Sequence, residues 1–124
     1  MQLVIPRETQ PGENRVSATP ETIKKLVRLG AEVVVETGAG VGAGFSDADF
    51  EAAGASIGSD RAALLASADM LLRLRKPELA EISQLKAGCI HVSYLDPFNE
   101  KELIKAFASQ GVTAVSMEML PRST

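Results

Sequence analysis

The sequence predicts an α/β fold built on a mainly parallel, open sheet. Short apolar runs rich in Val, Ile and Leu alternate along the chain with segments of helical periodicity, and the links between them are short. This alternation is typical of parallel strands joined by crossover helices. The runs are apolar along most of their length, as burial on both faces of a sheet requires, and right-handed crossovers place helices on both faces.

The first half of the chain predicts two strands, at 2–6 and 31–36, and two helices, at 19–30 and 46–54. Thr19 can cap the first helix, Pro20 suits its first turn, and Gly30 can take the left-handed conformation that ends it. Ser46 and Asp49 have the spacing of a capping box at the start of the second helix. Both helices therefore carry signals at their ends as well as an apolar face.

The second half predicts helices at 59–68, 77–88 and 98–111 and strands at 69–75, 89–95 and 112–117. The last helix has the strongest start signal, because Asn99 and Glu102 match a capping box and Phe98 can pack onto Leu103. The helix at 77–88 is the weakest. Together the elements predict one doubly wound domain over residues 1–124, with the three layers of a flavodoxin-like or Rossmann-like fold.

The composition is that of a globular protein from a reducing compartment. The formal net charge of −3 gives no basic surface for nucleic acid, and a single cysteine allows no disulfide within the chain. No apolar run approaches the roughly 18 residues of a membrane span, so we expect no direct membrane insertion. The N-terminus lacks the basic and apolar segments of a signal peptide.

The segment TGAGVGAGFSD, residues 37–47, has glycine at every second position from Gly38 to Gly44. A dinucleotide-binding fingerprint opens the helix after the first strand, and an acid follows about 20 residues later. Here the glycines follow the second strand, and Glu36 precedes them. We therefore interpret the segment as a turn with several positive-φ positions, or as a place where small residues let another segment approach closely.

Charged residues gather where the predicted strands end, which is where ligands collect in open α/β sheets. They are Arg7 and Glu8, Arg73, Arg75 and Lys76, Tyr94 and Asp96, and finally Glu118 and Arg122. Arg73 and Arg75 are two residues apart and are therefore predicted to share one face of the strand. Cys89 and His91 share a strand face too, but one cysteine and one histidine are too few for a metal site, so we expect them to be packed.

Several motifs resemble the N-terminal domain shared by alanine dehydrogenases and the alpha subunit of proton-translocating NAD(P) transhydrogenase. They are IPRE, E-x-RV-x-x-(T/S)P, LG-x-x-V-x-VE-x-GAG-x-GAGF-x-D and AGA, and the likeness continues to the final MEMLPRST. The resemblance implies that the pyrophosphate-binding glycine loop belongs to a later Rossmann domain. We therefore expect residues 1–124 to be an N-terminal fragment of a larger subunit.

The resemblance also implies which branch of the family is the nearer one. In alanine dehydrogenases an arginine of the RV motif holds the substrate carboxylate, a lysine contacts the keto oxygen and a histidine acts as acid and base. This chain has Arg15 at the first position, but Arg75 at the lysine position and Asp96 at the histidine position. An arginine stays protonated, and an aspartate titrates about 2.5 pH units below a histidine. The three residues remain candidates for a pocket on the rim, which is the edge of the sheet where the strands end. We expect Arg15 and Arg75 to lie near one another.

The ending MEMLPRS resembles the transhydrogenase branch, where the arginine after the proline belongs to a loop beside the bound nicotinamide. Arg122, with Ser123 and Thr124 beside it, is accordingly a candidate cofactor contact. The resemblance implies hydride transfer between NADH and NADP⁺, coupled to proton translocation. NAD(H) would be bound mainly by the missing domain, and we expect no cofactor to bind tightly to residues 1–124.

The implied partners are the membrane and NADP-binding subunits of the transhydrogenase, with a homodimer in the parent enzyme. The implied location is cytoplasmic, peripheral to the inner membrane through those subunits. Two alternatives stay open: an NAD-dependent amino-acid dehydrogenase of the alanine or saccharopine kind, and a non-enzymatic binding module with the same fold.

Overall fold

The computed structural model describes residues 1–119, which form a six-stranded, all-parallel sheet with the strand order β3-β2-β1-β4-β5-β6. The strands are β1 Gln2–Ile5, β2 Glu32–Glu36, β3 Ser56–Gly58, β4 Met70–Arg75, β5 Ile90–Tyr94 and β6 Thr113–Ser116. The helices are α1 Pro20–Arg28, α2 Asp47–Ala52, α3 Arg61–Ser67, α4 Leu79–Ile82 and α5 Lys101–Gln110. This order is that of a Rossmann fold, and it confirms the predicted fold class.

Alternate residues of β1 face two separate apolar cores, one on each side of the sheet. Leu3 and Ile5 pack with Phe50 and the other apolar residues of α1 and α2. Val4 points the other way and packs with Phe107 and the apolar faces of α3, α4 and α5. Because β1 is buried on both sides, its run of apolar residues does not alternate with polar ones.

The helix ends in the first half of the chain follow the sequence signals. The Thr19 hydroxyl accepts a hydrogen bond from the Thr22 amide at 3.4 Å, and Ser46 and Asp49 form both bonds of a capping box. Gly30 has φ +97°, a conformation that glycine adopts without a steric penalty. These local bonds satisfy amides that the helices themselves leave free.

Three elements differ from the sequence-based prediction. β3 is absent from it, because a three-residue edge strand is too short to show a period, and it forms by pairing with β2. α4 covers only four residues of the predicted 77–88. α5 begins at Lys101, so the predicted capping box of Asn99 and Glu102 is wrong: the Asn99 side chain donates to the Asp96 carboxylate instead. Phe98 is 76% exposed and does not form a buried staple.

None of the helices within residues 1–119 is long and apolar enough to cross a membrane. Cys89 and His91 are fully buried, which confirms that they are packed. The part of the chain that the structure describes holds no group of three or more potential metal ligands. Burial, reinforced by the nearby Arg73 guanidinium, lowers the pKa of His91 to about 3.

This low pKa predicts that stability falls as the solution is acidified. Unfolded histidine binds a proton near pH 6.5, whereas folded His91 stays neutral down to about pH 3. Below pH 6.5 the unfolded state gains a proton that the folded state does not bind. The free energy of unfolding should therefore drop between pH 6.5 and 5, with a slope approaching about 1.4 kcal/mol per pH unit.

Urea unfolding at several pH values measures this slope, and His91→Leu provides the comparison. The chain has one histidine, so the variant should show a nearly flat profile between pH 6.5 and 5. Equal slopes in the two proteins would show that folded His91 binds its proton normally.

Candidate functional site

β1 and β4 separate at their carboxyl ends, and Glu8 occupies the gap. The two strands are in register only at Leu3 with Met70 and Val4 with Leu71. Beyond that point the buried Glu8 carboxylate accepts hydrogen bonds from the amides of Leu74 and Arg75, at 2.8 and 3.0 Å. A side chain thus replaces the strand partner that the end of β4 has lost.

The segment between β1 and α1 lies along the same gap. The Ser17 hydroxyl donates to the Leu72 carbonyl at 2.9 Å, so this segment contacts β4 at both of its ends. In open α/β sheets the divergence of two neighbouring strands creates the crevice that binds ligands. Here the chain's own residues lie against the β4 side of that crevice.

Buried ion pairs connect the rim to the helices below it. Arg61, at the start of α3, contacts Glu36 at 2.6 Å and Glu81 of α4 at 3.0 Å, and it donates to the Arg7 carbonyl. Arg73 is 2% exposed and contacts the other oxygen of Glu81 at 3.4 Å. A charge buried this deeply needs such a partner, so the network holds α4 against the sheet.

Arg15 and Arg75 lie next to one another, as expected from the sequence, because they share one carboxylate. Glu13 Oε1 accepts from Arg15 Nη2 at 2.9 Å and from Arg75 Nε at 3.0 Å. Glu13 Oε2 also accepts from the Arg15 amide and Nε. The hydrogen bonds from Arg15, assisted by Arg75, lower the pKa of Glu13 to about 2.

Arg75 and Asp96 line one small pocket of about 270 Å³ at the ends of β4, β5 and β6. Its other lining residues are Gln10, Lys76, Tyr94 and Glu118. Asp96 has φ +52°, which is uncommon for a residue with a side chain. The turn is held by Glu118, which accepts from the Asp96 amide at 2.9 Å, and by Asn99, which donates to the Asp96 carboxylate.

The two arginines of β4 do not share an environment. Arg73 is buried beside Glu81, whereas Arg75 has a half-exposed side chain beside Glu13. The register between β4 and β5 shifts between Leu72 and Arg75, so simple alternation does not hold there. Lys76 pairs with Glu100 at 2.6 Å.

Two of the four glycines in the loop after β2 have positive φ, Gly38 at +79° and Gly44 at +89°. The prediction of several such positions holds for these two alone. Gly40 and Gly42 are instead places of close approach. A Cβ on Gly40 would overlap the Phe50 ring, and a Cβ on Gly42 would lie 2.8 Å from the Asn14 carbonyl oxygen.

Asp47 attaches the glycine loop to the start of α2. Its carboxylate accepts from the Thr37 hydroxyl at 2.6 Å and from the Gly38 amide at 2.9 Å. These two bonds lower the pKa of Asp47. The loop is therefore fixed at its base, and its middle lies against neighbouring segments.

The rim and the glycine loop lie within the part of the chain that matches a known family. Residues 4–124 match the family model described as alanine dehydrogenase/PNT, N-terminal domain.

The chain belongs to this family.

It is 41% identical over 122 residues to NAD(P) transhydrogenase subunit alpha of Cereibacter sphaeroides, an alignment that covers 98% of this chain and 23% of that protein. It is 39% identical over 120 residues to alanine dehydrogenase of Halomonas elongata, with 97% of this chain and 32% of that protein covered. The solved structure of transhydrogenase from Sinorhizobium meliloti superposes with a TM-score of 0.93 at 40% identity, over 100% of this chain and 37% of that one. The chain thus spans between 23% and 37% of the length of these relatives.

Within this alanine dehydrogenase/PNT domain, some rim residues are predictable from the sequence and the contacts of others are not. Arg15, Arg75 and Asp96 are brought to one rim, whereas Arg122, Ser123 and Thr124 lie outside the described residues and stay predictions. The role of Glu13 is missed, although it stands in the E-x-RV motif. Glu8 is correctly placed on the rim, but its bonds to β4 could not be predicted, because they join residues 66 and 67 positions apart.

Replacing Glu8 tests whether its carboxylate holds the end of β4. Glu8→Ala leaves the amides of Leu74 and Arg75 without their acceptor in a buried place. A buried donor without a partner costs about 1 to 3 kcal/mol, so we expect a loss of about 2 to 4 kcal/mol in the free energy of unfolding. Glu51→Ala, at an exposed position of α2, is the control and should change stability by less than about 0.5 kcal/mol. Equal stabilities of the two variants would contradict the role given to Glu8.

Replacing Gly40 tests the close approach in the glycine loop. Gly40→Ala forces a methyl group against the fully buried Phe50 ring and the Phe45 backbone, so overpacking should cost about 1 to 3 kcal/mol. Gly44→Ala has open space around its Cβ, and only its positive φ penalises it, by about 1 kcal/mol. The thermal unfolding midpoint of Gly40→Ala should therefore be lower than that of Gly44→Ala. The reverse order would mean that φ, and not packing, selects glycine here.

Proposed function

We propose that this chain is the N-terminal domain of the alpha subunit of a proton-translocating NAD(P)⁺ transhydrogenase, in which hydride passes from NADH to NADP⁺. The observation that carries the proposal is the pair Arg75 and Asp96 at the rim, together with 41% identity to the Cereibacter sphaeroides alpha subunit along 98% of the chain. Those two positions would need a lysine and a histidine for alanine oxidation. Neither residue type stands there.

The charges of the rim also disfavour a small carboxylate substrate. Arg15 and Arg75 are already paired with Glu13, and Lys76 is paired with Glu100. Asp96 and Glu118 add two more acids to the same pocket. An incoming carboxylate would meet two arginines already partly neutralised by Glu13, and the carboxylates of Asp96 and Glu118 would lie beside Arg75.

The proposed task of the domain is to position the nicotinamide and to exclude water. Hydride passes directly between two nicotinamide rings, so no residue of the rim has to act as an acid or base. Most of the NADH binding energy would come from residues outside this chain. The crevice at the β1–β4 divergence is lined by the chain's own segment from Glu8 to Ser17, and the glycine loop follows the second strand rather than the first.

Arg122, with Ser123 and Thr124, is the proposed contact of this chain with the nicotinamide nucleotide. Its guanidinium would supply a charged hydrogen bond of the kind that phosphate and amide groups accept. The chain by itself would neither hold NADH tightly nor transfer hydride. In the parent enzyme the subunit would form a homodimer and would join the membrane and NADP-binding subunits, at the cytoplasmic side of the inner membrane.

The second candidate is an NAD-dependent amino-acid dehydrogenase of the alanine type. The 39% identity to the Halomonas elongata enzyme, over almost the whole chain, is the observation that favours it. Arg15, the residue expected to hold the substrate carboxylate, is also present at the rim.

A pair of assays on the gene product that carries this sequence separates the two candidates. With the NADP-binding subunit added, we expect NADH-dependent reduction of an NADP⁺ analogue, and no oxidation of NADH by pyruvate and ammonia. The opposite pattern would establish the amino-acid dehydrogenase and overturn the proposal. Absence of both activities in a folded protein would favour a binding module.

Arg122→Ala tests the proposed nucleotide contact in the same assay. Loss of one charged hydrogen bond of about 1.5 to 3 kcal/mol should lower hydride transfer by about 10- to 100-fold. Lys24→Ala, on the exposed side of α1, is the control and should leave the rate unchanged. A wild-type rate in Arg122→Ala would remove this residue from the site.

A further inference from the structure

The glycine loop comes close to the rim where Gly42 faces the backbone of Asn14. A Cβ on Gly42 would lie 2.8 Å from the Asn14 carbonyl oxygen and 3.0 Å from its Cα. Backbone atoms cannot rotate away as a long side chain can, so a larger residue at this position would displace Asn14. The neighbours of Asn14 in the chain are Glu13 and Arg15, which take part in the shared contact with Arg75.

The shared carboxylate of Glu13 is far less exposed to solvent than the two arginines that it binds. The side chain of Glu13 is 4% exposed, against 70% for Arg15 and 52% for Arg75. Arg15 binds it through Nε and Nη2, and Arg75 binds it through Nε from the end of β4. Charge-assisted bonds of this kind fix the direction of a guanidinium as well as its position.

We propose that Glu13 is a positioning residue that holds Arg15 and Arg75 side by side on the rim, and that the glycine loop keeps Glu13 in place through the contact of Gly42 with Asn14. The inference rests on the proposed function for one aspect alone, namely that the arginine pair faces the space where hydride is transferred. The two motifs then act together, because the glycine loop sets the position of the segment that carries E-x-RV.

The arrangement leaves a defined set of donors directed away from Glu13. Among residues 1–119, Nη1 of Arg15 and both terminal nitrogens of Arg75 make no hydrogen bond. Glu13, Arg15 and Arg75 together carry a net charge of +1, because one carboxylate faces two guanidinium groups. Two guanidinium planes fixed by one acid present this charge at a constant place, whereas two free arginine side chains would spread it over many rotamers.

The contact at Gly42 is distinguishable from a general need for glycine in the loop. Gly44 has φ +89° and open space around its Cβ, so alanine there strains the loop without touching Asn14. Gly42 has no positive φ, so alanine there is opposed by the contact and by little else. The two variants therefore form a matched pair, one with the contact altered and one with the backbone strained.

The test measures hydrogen exchange at the Nε–H groups of Arg15 and Arg75 by ¹⁵N NMR at neutral pH, on the chain without nucleotide. In the wild type we expect both groups to exchange slowly, because each donates to Glu13. In Gly42→Ala, exchange at Arg75 should accelerate by at least about tenfold. In Gly44→Ala it should stay at the wild-type rate.

Wild-type exchange at Arg75 in Gly42→Ala would overturn the role of the glycine loop, and so would equal acceleration in Gly44→Ala. If Gly42→Ala does not fold, Asn14→Ala tests which part of Asn14 matters, since it keeps the backbone atoms that Gly42 faces. Exchange at Arg75 should then stay at the wild-type rate, and acceleration there would show that the Asn14 side chain, and not the backbone contact with the glycine loop, holds Glu13.

Glu13→Gln tests the carboxylate itself, since it keeps the shape of the side chain and removes its charge. Exchange should accelerate at both arginines, and an effect confined to Arg15 would show that Glu13 does not position Arg75. These measurements need neither NADH nor a partner subunit. A failure of the proposed hydride transfer would therefore leave their outcome unchanged, and the two ideas can fail separately.

Discussion

The backbone amides at the end of β4 must find acceptors after β1 has turned away, and Glu8 supplies both. The divergence of β1 and β4 is the feature that gives a fold of this strand order its crevice, but it also exposes backbone donors in a place with little water. The Glu8 carboxylate accepts from Leu74 and Arg75, and the Ser17 hydroxyl donates to Leu72. The segment from Glu8 to Ser17 is consequently tied to β4, and the rest of the rim is arranged around it.

This arrangement explains how the strand order of a dinucleotide-binding fold can occur with a crevice that is lined by the chain's own residues. The segment tied to β4 carries Glu13 and Arg15, so the same bonds that satisfy β4 also bring Arg15 to Arg75. The glycine loop packs against that segment at Gly42 and against Phe50 at Gly40. Close approach, which in a cofactor loop serves a pyrophosphate, here serves another segment of the same chain.

The fold could be predicted because its signals are local, and the site only incompletely because its bonds are distant in sequence. Apolar runs, the Thr19 cap and the Ser46–Asp49 capping box determine the order of strands and helices. The Asn99 capping box fails because Asp96, in a left-handed turn, captures the Asn99 side chain. The family motifs lead to Arg15, Arg75 and Asp96, but periodicity says nothing about the acid that two arginines share. Close approach at Gly40 and Gly42 likewise depends on Phe50 and Asn14, which the sequence places on other segments.

Because the segment from Glu8 to Ser17 lies against β4 along the crevice, the domain should respond to a dinucleotide in a defined way. The most direct measurement follows the ¹⁵N amide signals of Ser17, Leu74 and Arg75 during a titration of the chain with NADH. If Glu8 and Ser17 hold β4 as described, these signals keep their positions up to about 1 mM NADH, a concentration at which even a weak specific complex would form. Saturable shifts of these amides at low micromolar NADH would contradict the account, because they would place the nucleotide where the segment from Glu8 to Ser17 lies.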